Sequence, residues 1–428
     1  MTAAEVFLWG TRIGTVAFDD DNGLGAFEYD QAFLSSGIEV APIAMPLSRR
    51  VYSFPELARQ SFHGLPGLLA DSLPDKFGNA VINAWLQSQG RSPESFNPVE
   101  RLCYTGSRGM GALEYVPARG PSATESESIE IDRLVELASK ILRSREDMHV
   151  VIGENAMQEI IKVGSSAGGA RAKAVIAWNE ETGDIRSGQI EAGKGYGYWL
   201  IKFDGVSRNG DKEGEDAPQH TRIEYAYHLM AKDAGILMSE CRLYEEKGRY
   251  HFMTRRFDRD GATGGKLHMQ SLGAMAHFDF NQRGAYSYEQ AAQVMRQLRI
   301  TNTEISQFYR RMVFNVLARN QDDHVKNISF LMDRSGRWSL APAYDVTYAY
   351  NPDGMWTGTH QMSVNGKRDA ITRLDLLASA KSMGVRKAEA EQTIAAVQDS
   401  LAKWYDFAEE AKLRGVVTER IAKKSVEV

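Results

Sequence analysis

The run ARNQDDHVKNISFLMD, residues 318–333, sets five polar side chains in one short stretch: Asp322, Asp323, His324, Lys326 and Asn327. A carboxylate and an amide five residues apart suit phosphoryl transfer. One accepts or orients the attacking hydroxyl while the other helps hold Mg²⁺. The run follows an amphipathic helical pattern and leads into the apolar ISFLM. Further on, APAYDVT sets Asp345 after Pro342, in a loop that follows the strand-like RWSLA. An acidic residue there can bridge a metal to phosphate oxygens. The plainer alternative is a solvated loop in which Asp and Asn merely cap turns. Five polar groups beside apolar strands argue against it, because buried polar groups need partners.

Upstream, GSSAGGARAK runs from Gly164 to Lys173 between two strand-like segments. Its Gly164, Ser165, Ser166, Ala167, Gly168 and Gly169 would let backbone N–H groups converge on phosphate oxygens. It is neither a Walker A loop nor a strict G-x-G-x-x-G, and an ordinary glycine-rich hairpin fits it equally well. Lys202, in YWLIKFD, has the apolar neighbours Leu200, Ile201 and Phe203. A buried ammonium needs an anionic partner, a phosphate or a carboxylate. Glu224, early in the next helical segment, is the nearest carboxylate candidate in that order. A lysine on the solvent face of an edge strand is the competing reading. The whole order is Gly-rich loop, strand Lys, helix Glu, hairpin, Asp…Asn loop, then Asp. It is the order of the phosphoryl-transfer parts in protein kinases.

The elements that must position these groups are legible in outline. VFLWG, TRIGTVAFDD and GAFEYD alternate apolar and polar residues, which predicts a β-meander. From Ser53 the spacing turns helical, with Pro55, Pro66 and Pro74 as starts or breaks. PARGPSATESES, 117–128, is the best linker candidate. A helix over IDRLVELASKILRS follows, then strands over 159–164, 173–179 and 198–204, and a helix over 222–236 that ends at Gly235. CRLYEE and RYHFMTRRFD read as a hairpin around Lys247-Gly248, and from Tyr288 the pattern is mainly helical. Regular strand–helix alternation of a doubly wound sheet is absent.

Composition sets the outer limits. With 428 residues, 43% hydrophobic and 25% charged, the chain has globular character, which excludes wholesale disorder. The formal charge of −5 excludes a surface that is wholly a nucleic-acid footprint. Cys103 and Cys241 are the only cysteines, and no HExxH occurs, so a disulfide scaffold, a Cys-based zinc cluster and a zincin site are excluded. The start, MTAAEVFLWGTRIG, has no signal-peptide pattern, and no 18-residue apolar stretch occurs, so a cytoplasmic protein is expected.

GSSAGGARAK, NQDDHVKN and AYDVT resemble the HipA-type serine/threonine kinases, the toxin partners of bacterial toxin–antitoxin pairs. The GTxxF-like strands, FLSSGIEVAPIAMPL and LLADSLPDKFG are similar to that family's N-terminal subdomain, so the resemblance runs from about residue 5 to about 415. It implies an α+β, protein-kinase-like two-lobed fold. The implied parts are a β-rich N-terminal subdomain (1–115), a kinase-like N-lobe (129–258) and a helical C-lobe (259–428), with the active cleft between the lobes. The resemblance implies Asp322 as catalytic base, Asn327 and Asp345 as Mg²⁺ ligands, and Lys202 on the ATP phosphates. Lys326 would face the γ-phosphate and His324 would prop the loop. The Gly-rich loop would cover the nucleotide, with Ser166 as its autophosphorylated serine and Ser165 as the alternative. Adenine would lie against RRFDR, where Phe257 and Asp258 match the family pattern, while Arg255 stands where many members carry an acidic residue. Ala172 stands where Pro is common.

The implied activity is ATP-dependent phosphorylation of a cellular protein that inhibits growth, and in the family that protein can be an aminoacyl-tRNA synthetase. The implied partner is a small helix-turn-helix antitoxin, HipB-like, through which DNA contact is mainly made, with no membrane association. Two rivals share these residues: a kinase for a small molecule or lipid with a similar DxHxxN loop, and an inactive kinase-like binding or corepressor module.

Overall fold

Strand alternation in the opening residues buries one face of a meander. In the computed structural model, which describes residues 1–119, 128–144, 160–161, 171–206, 219–260 and 265–424, β1 (Thr2–Leu8), β2 (Thr11–Asp19) and β3 (Leu24–Tyr29) pair antiparallel in sequence order. Val6, Ile13, Val16 and Phe27 are fully buried on the covered face. Gly14 is required at its position, since a Cβ there would meet the Glu28 carbonyl oxygen at 2.3 Å. A fourth strand, β4 (Leu113–Val116), joins β1 from a hundred residues away and makes the order β3-β2-β1-β4. Four residues are too few for a periodic signal, so the sequence shows three strands of the four.

Helices α1 (Arg59–Phe62), α2 (Gly67–Ala70), α3 (Lys76–Ser88) and α4 (Pro98–Thr105) fill the stretch read as helical. Asp75 caps α3 by accepting from the Gly78 N–H at 2.6 Å. The expected helix after the linker is α5 (Ile131–Ser144), and it buries Ile131, Leu134, Val135, Leu137, Ala138, Ile141 and Leu142. Each large aliphatic side chain buried this way contributes about 1.5–3 kcal/mol. Ile160 and Ile161, expected in a strand, are helical and join the same core.

β5 (Lys173–Trp178), β6 (Ile185–Ser187), β7 (Gly197–Lys202), β8 (Cys241–Glu246) and β9 (Arg249–Arg255) form a sheet in the order β6-β5-β7-β9-β8. Lys247 and Gly248 turn the expected hairpin with φ of 48° and 79°, the left-handed pair that a tight two-residue turn requires. Trp199, Ile201 and Met253 pack with Phe77 and Ile141 in one core. α6 (His220–Asp233) matches the expected helix, and β10 (His268–Ser271) follows. The later elements are α7 (Leu272–Ala276), α8 (Tyr288–Gln297), α9 (Asn302–Leu317), the hairpin β11 (Ser329–Met332) and β12 (Trp338–Leu340), α10 (Arg373–Met383), α11 (Lys387–Ala402), α12 (Trp404–Glu410) and α13 (Val416–Ala422).

These elements divide into two compact units. The first is Met1–Ala217, Tyr244–Gln270 and Asp333–Gly336. The second is Pro218–Leu243, Ser271–Met332 and Arg337–Val428. Among the described residues no helix is long and apolar enough to cross a membrane. The linker candidate falls mostly outside the described residues.

Candidate active site

In the second unit, α9 delivers the acidic segment. Thr301 and Glu304 close a capping box at its start, and Phe308, Tyr309, Met312, Val313 and Phe314 anchor its buried face. The chain then turns through Arg319, at φ 57°, and residues 319–321 bond to Ala349 in both directions. A single 3₁₀ turn, Val325–Asn327, follows before β11.

Within that turn the polar groups hold one another. Asn327 Nδ2 donates to the Asp322 carbonyl at 2.8 Å, which closes the five-residue interval into a loop. His324 Nδ1 accepts from the Lys326 N–H at 3.2 Å, and its Nε2 lies 4.0 Å from Asp322 Oδ1. Lys326 Nζ stands 4.6 Å from the centre of the Phe280 ring. The Asp322 carboxylate is 44% exposed, so it is open to an incoming group. Tyr344 carries the second half of the site to the first: its hydroxyl donates to the Lys326 carbonyl at 2.6 Å and lies 2.5 Å from Ser329 Oγ. Asp345 follows at φ 53°, a left-handed conformation that few residues other than glycine, asparagine and aspartate adopt. One concavity is lined by Asp323, His324, Asn327, Tyr344 and Asp345 together. Asn327 has its amide nitrogen tied to the loop, which leaves its side-chain carbonyl as the oxygen to offer. An amide oxygen and a carboxylate on one concavity are hard donors of the kind that Mg²⁺ takes, so these residues fit the metal that the spacing implies.

Sequence reading singled out Asp323 only as one polar group of the run. It is fully buried, with Oδ2 accepting from Tyr288 Oη at 2.7 Å and His360 Nδ1 at 2.9 Å, and Oδ1 from the Gln361 N–H at 2.7 Å. Asn315 Nδ2 in turn donates to Tyr288 Oη at 2.9 Å. Burial pushes the Asp323 carboxyl up, but His360, Tyr288 and the backbone donor outweigh it and hold the group below its ordinary value. Nothing in the spacing of Tyr288 or His360 marks them as its partners. Tyr344, adjacent to Asp345, carries the nearest thing to a signal.

In the first unit, Lys202 lies on β7, an interior strand, and is only 7% exposed, so the solvent-edge reading is overturned. Its cross-strand partner on β5 is another buried lysine, Lys173, which sits 3.0 Å from Asp75 Oδ2. Asp258 is fully buried. It accepts from Arg256 Nε at 2.9 Å, Arg256 Nη2 and Arg259 Nη1 at 2.7 Å, and the Gly111 N–H at 2.7 Å. Burial raises its pKa, and the two guanidiniums overcome that and hold it far below the carboxylate range. The structure therefore gives Asp258 a role in anchoring the segment between Arg255 and Arg259 to residues 109–111. Arg255 and Phe257 are half-buried beside it. Glu224 is buried on α6 of the second unit. Gly164, Ser165, Ser166, Ala167, Gly168 and Gly169 lie outside the described residues.

Comparison with known proteins follows the same division. A family described as the HipA N-terminal domain matches residues 4–116, and one described as the HipA-like C-terminal domain matches residues 165–405. Among curated proteins, a Haemophilus influenzae protein named "Putative kinase" is 30% identical over 33% of this chain and 46% of its own length. "Putative kinase Y4dM" of Sinorhizobium fredii is 28% identical over 35% of this chain and 37% of its own length. The chain thus spans less than half of the curated relatives it matches. Among solved structures, the complex of the Shewanella oneidensis MR-1 toxin–antitoxin system HipA, HipB and its operator DNA contains a chain with TM-score 0.65. That chain is 17% identical, over 98% of this chain and 94% of its own length, a likeness of fold. The architecture is accordingly the α+β, kinase-like one expected. With the C-terminal match alone covering more than half of the residues, the chain belongs to the HipA family.

Proposed function

We propose that this chain is a Mg²⁺- and ATP-dependent kinase that phosphorylates a serine or threonine hydroxyl of another protein. The observation that carries the reading is the closed Asp322–Asn327 loop, whose His324 and Asn327 line the same concavity as Asp345. Asp322 accepts the proton of the incoming hydroxyl and orients its oxygen, which typically supplies about 10²–10⁴ in rate. Asn327 and Asp345 hold Mg²⁺, which when bound neutralises charge developing on the transferred phosphoryl group. Lys326 faces the γ-phosphate, and His324 holds the loop through the Lys326 N–H. Lys202 contacts the other phosphates, and the Gly-rich loop from Gly164 to Gly169 covers the nucleotide. Arg255, Phe257 and Asp258 form the segment against which adenine rests. In this reading the working parts are an N-terminal subdomain (1–115), a nucleotide lobe (129–258) and a catalytic lobe (259–428). Labelled ATP and an acceptor protein test the activity: transfer is expected with Mg²⁺ and abolished by chelation.

Regulation follows from the loop serines. Phosphate adds about −1.5 to −2 charges at pH 7. On Ser166, or its neighbour Ser165, that charge repels ATP phosphates and shuts the enzyme off. Peptide mapping after incubation with ATP checks this, and phosphate found only elsewhere contradicts it.

The HipA–HipB–operator complex supports a small helix-turn-helix antitoxin as partner, with DNA contact made mainly through it. Such a complex works in the cytoplasm, with growth inhibition following from the phosphorylated target, an aminoacyl-tRNA synthetase being one such target. Tight, salt-sensitive operator binding by the isolated chain would contradict DNA contact through the partner.

A further inference from the structure

Arg311 lies on α9, the helix that leads into the Asp322 segment, and it lines the same concavity as His324, Asn327, Tyr344 and Asp345. It is 8% exposed, and its Nη2 donates to the Ala341 carbonyl at 2.7 Å. Its Nε is buried and has no hydrogen-bond partner among the described residues. Nor does a neighbouring acid pair with it. Glu304, seven positions earlier on α9, accepts from the Leu340 N–H at 2.9 Å and from Thr301. Asp323, on the same concavity, is bonded to Tyr288, His360 and the Gln361 N–H. Burial lowers the Arg311 pKa to about 10, against the pull of Tyr344 and Glu304, so the group is charged at neutral pH.

A buried guanidinium with an unmade N–H bond and no counter-ion opposes folding. An apolar side chain of similar volume removes that cost, and such replacements are often neutral or stabilising. Stability therefore does not account for an arginine at this place. Its one bond goes to the chain that carries Asp345. α9 grips that chain at two consecutive residues, through Glu304 at the Leu340 N–H and through Arg311 at the Ala341 carbonyl. The Ala341 N–H donates to the Ser329 carbonyl at 2.9 Å, and the Ala343 N–H to the Leu237 carbonyl at 2.9 Å. Four residues beyond Ala341 the chain reaches Asp345 and its left-handed φ of 53°. At its other end α9 runs into the loop that holds Asp322 and Asn327. One helix thus supports both halves of the concavity, and Arg311 is where it touches the Asp345 half from inside.

We propose that Arg311 is a positioning residue for phosphoryl transfer, which fixes the Asp345 chain against α9 and so sets Asp345 opposite Asn327 for Mg²⁺. The assignment rests on the kinase reading and deepens it. Partners that orient a metal-binding side chain typically change metal affinity by about 10–100-fold when removed.

The test uses the full chain with Mg²⁺ and a non-hydrolysable ATP analogue, read as the rise in melting temperature, beside phosphoryl transfer from labelled ATP. Without ligands, Arg311→Met should melt within about 3 °C of wild type or above it, because a buried charge has gone. The Mg²⁺ concentration that gives half of the ligand-induced rise should increase by about tenfold or more. Arg311→Lys keeps a donor for Ala341 and should recover part of that loss. In an Asp345→Asn background, Arg311→Met should add less than about twofold, since it acts through Asp345. An unchanged Mg²⁺ requirement, a lysine variant no better than methionine, or full additivity with Asp345→Asn would overturn the assignment and leave the kinase reading standing. A fall of more than about 10 °C in Arg311→Met without ligands would mark a structural residue and overturn it as well. A wild-type chain that neither gains stability from Mg²⁺ with the analogue nor transfers phosphate would overturn the kinase reading, and the assignment with it.

Discussion

Asp323 and His360, 37 positions apart in the chain, meet at 2.9 Å, so that a buried carboxylate ties the residue beside Asp322 to a distant loop. Tyr288 and the Gln361 N–H complete its shell. Removing the carboxylate leaves three buried donors without an acceptor. Asp323→Ala is therefore expected to cost about 3–5 kcal/mol in denaturant unfolding. Tyr288→Phe, which loses one donor, should cost only about 1 kcal/mol. Equal and small losses in both variants would contradict the anchoring role.

Asp345 offers a clean separation of charge from backbone. At φ 53° an asparagine fits as well as an aspartate. Asp345→Asn should keep the melting temperature within about 2 °C, since the backbone needs no change. Phosphoryl transfer should fall by about 10²-fold or more, because a neutral amide is a poorer Mg²⁺ ligand. A variant that transfers phosphate at the wild-type rate would remove Asp345 from the metal site.

Lys173 and Lys202 face each other across β5 and β7, and Asp75 lies 3.0 Å from Lys173. Breaking a buried pair from one side costs about 3–5 kcal/mol. Asp75→Asn should cost more than Lys173→Met, because it leaves a buried ammonium opposite another, and like charges directly across a sheet repel. The double variant should be more stable than Asp75→Asn alone. A double-mutant cycle by chemical denaturation with no coupling would contradict the pairing.

His251 and His228 are buried, one in each unit, and burial lowers the pKa of each to about 4. His251 Nδ1 accepts from the Asp204 N–H at 2.9 Å, which requires the neutral ring. Unfolded histidines titrate near 6.5, so the unfolded chain binds more protons between that value and about 4. Stability should be level above pH 7 and fall as the pH drops from 6.5 toward 4, by up to about 3 kcal/mol for each histidine. Melting curves from pH 7.5 to 5 check this, and a double His→Phe variant should lose part of the slope.

The closed Asp322–Asn327 loop was legible as a cluster because its polar groups lie within six residues, and the Asn327 amide bonds back to the Asp322 carbonyl. Most strands and helices were legible from their periods: β5, β7, α5 and α6 fall within a few residues of the expected bounds. The rest depends on contacts that sequence does not order. β4 is four residues long and finds β1 at a separation of about a hundred. Lys202 looked the same whether β7 was central or at an edge, and only the strand order decides its burial. Tyr288 and His360 read as an ordinary aromatic and an ordinary histidine until Asp323 lies between them. The Ile160–Ile161 pair is β-branched and suggested a strand, but the core takes it as helix.

The most direct test of the account is phosphoryl transfer by purified Asp322→Asn. The side chain is 44% exposed, and the loop is closed through the Asp322 backbone carbonyl, so folding should be unaffected. With labelled ATP and Mg²⁺, transfer is expected to fall by at least about 10²-fold while the melting temperature stays that of the wild type. Transfer at the wild-type rate by the folded variant would contradict the assignment of Asp322 as the base.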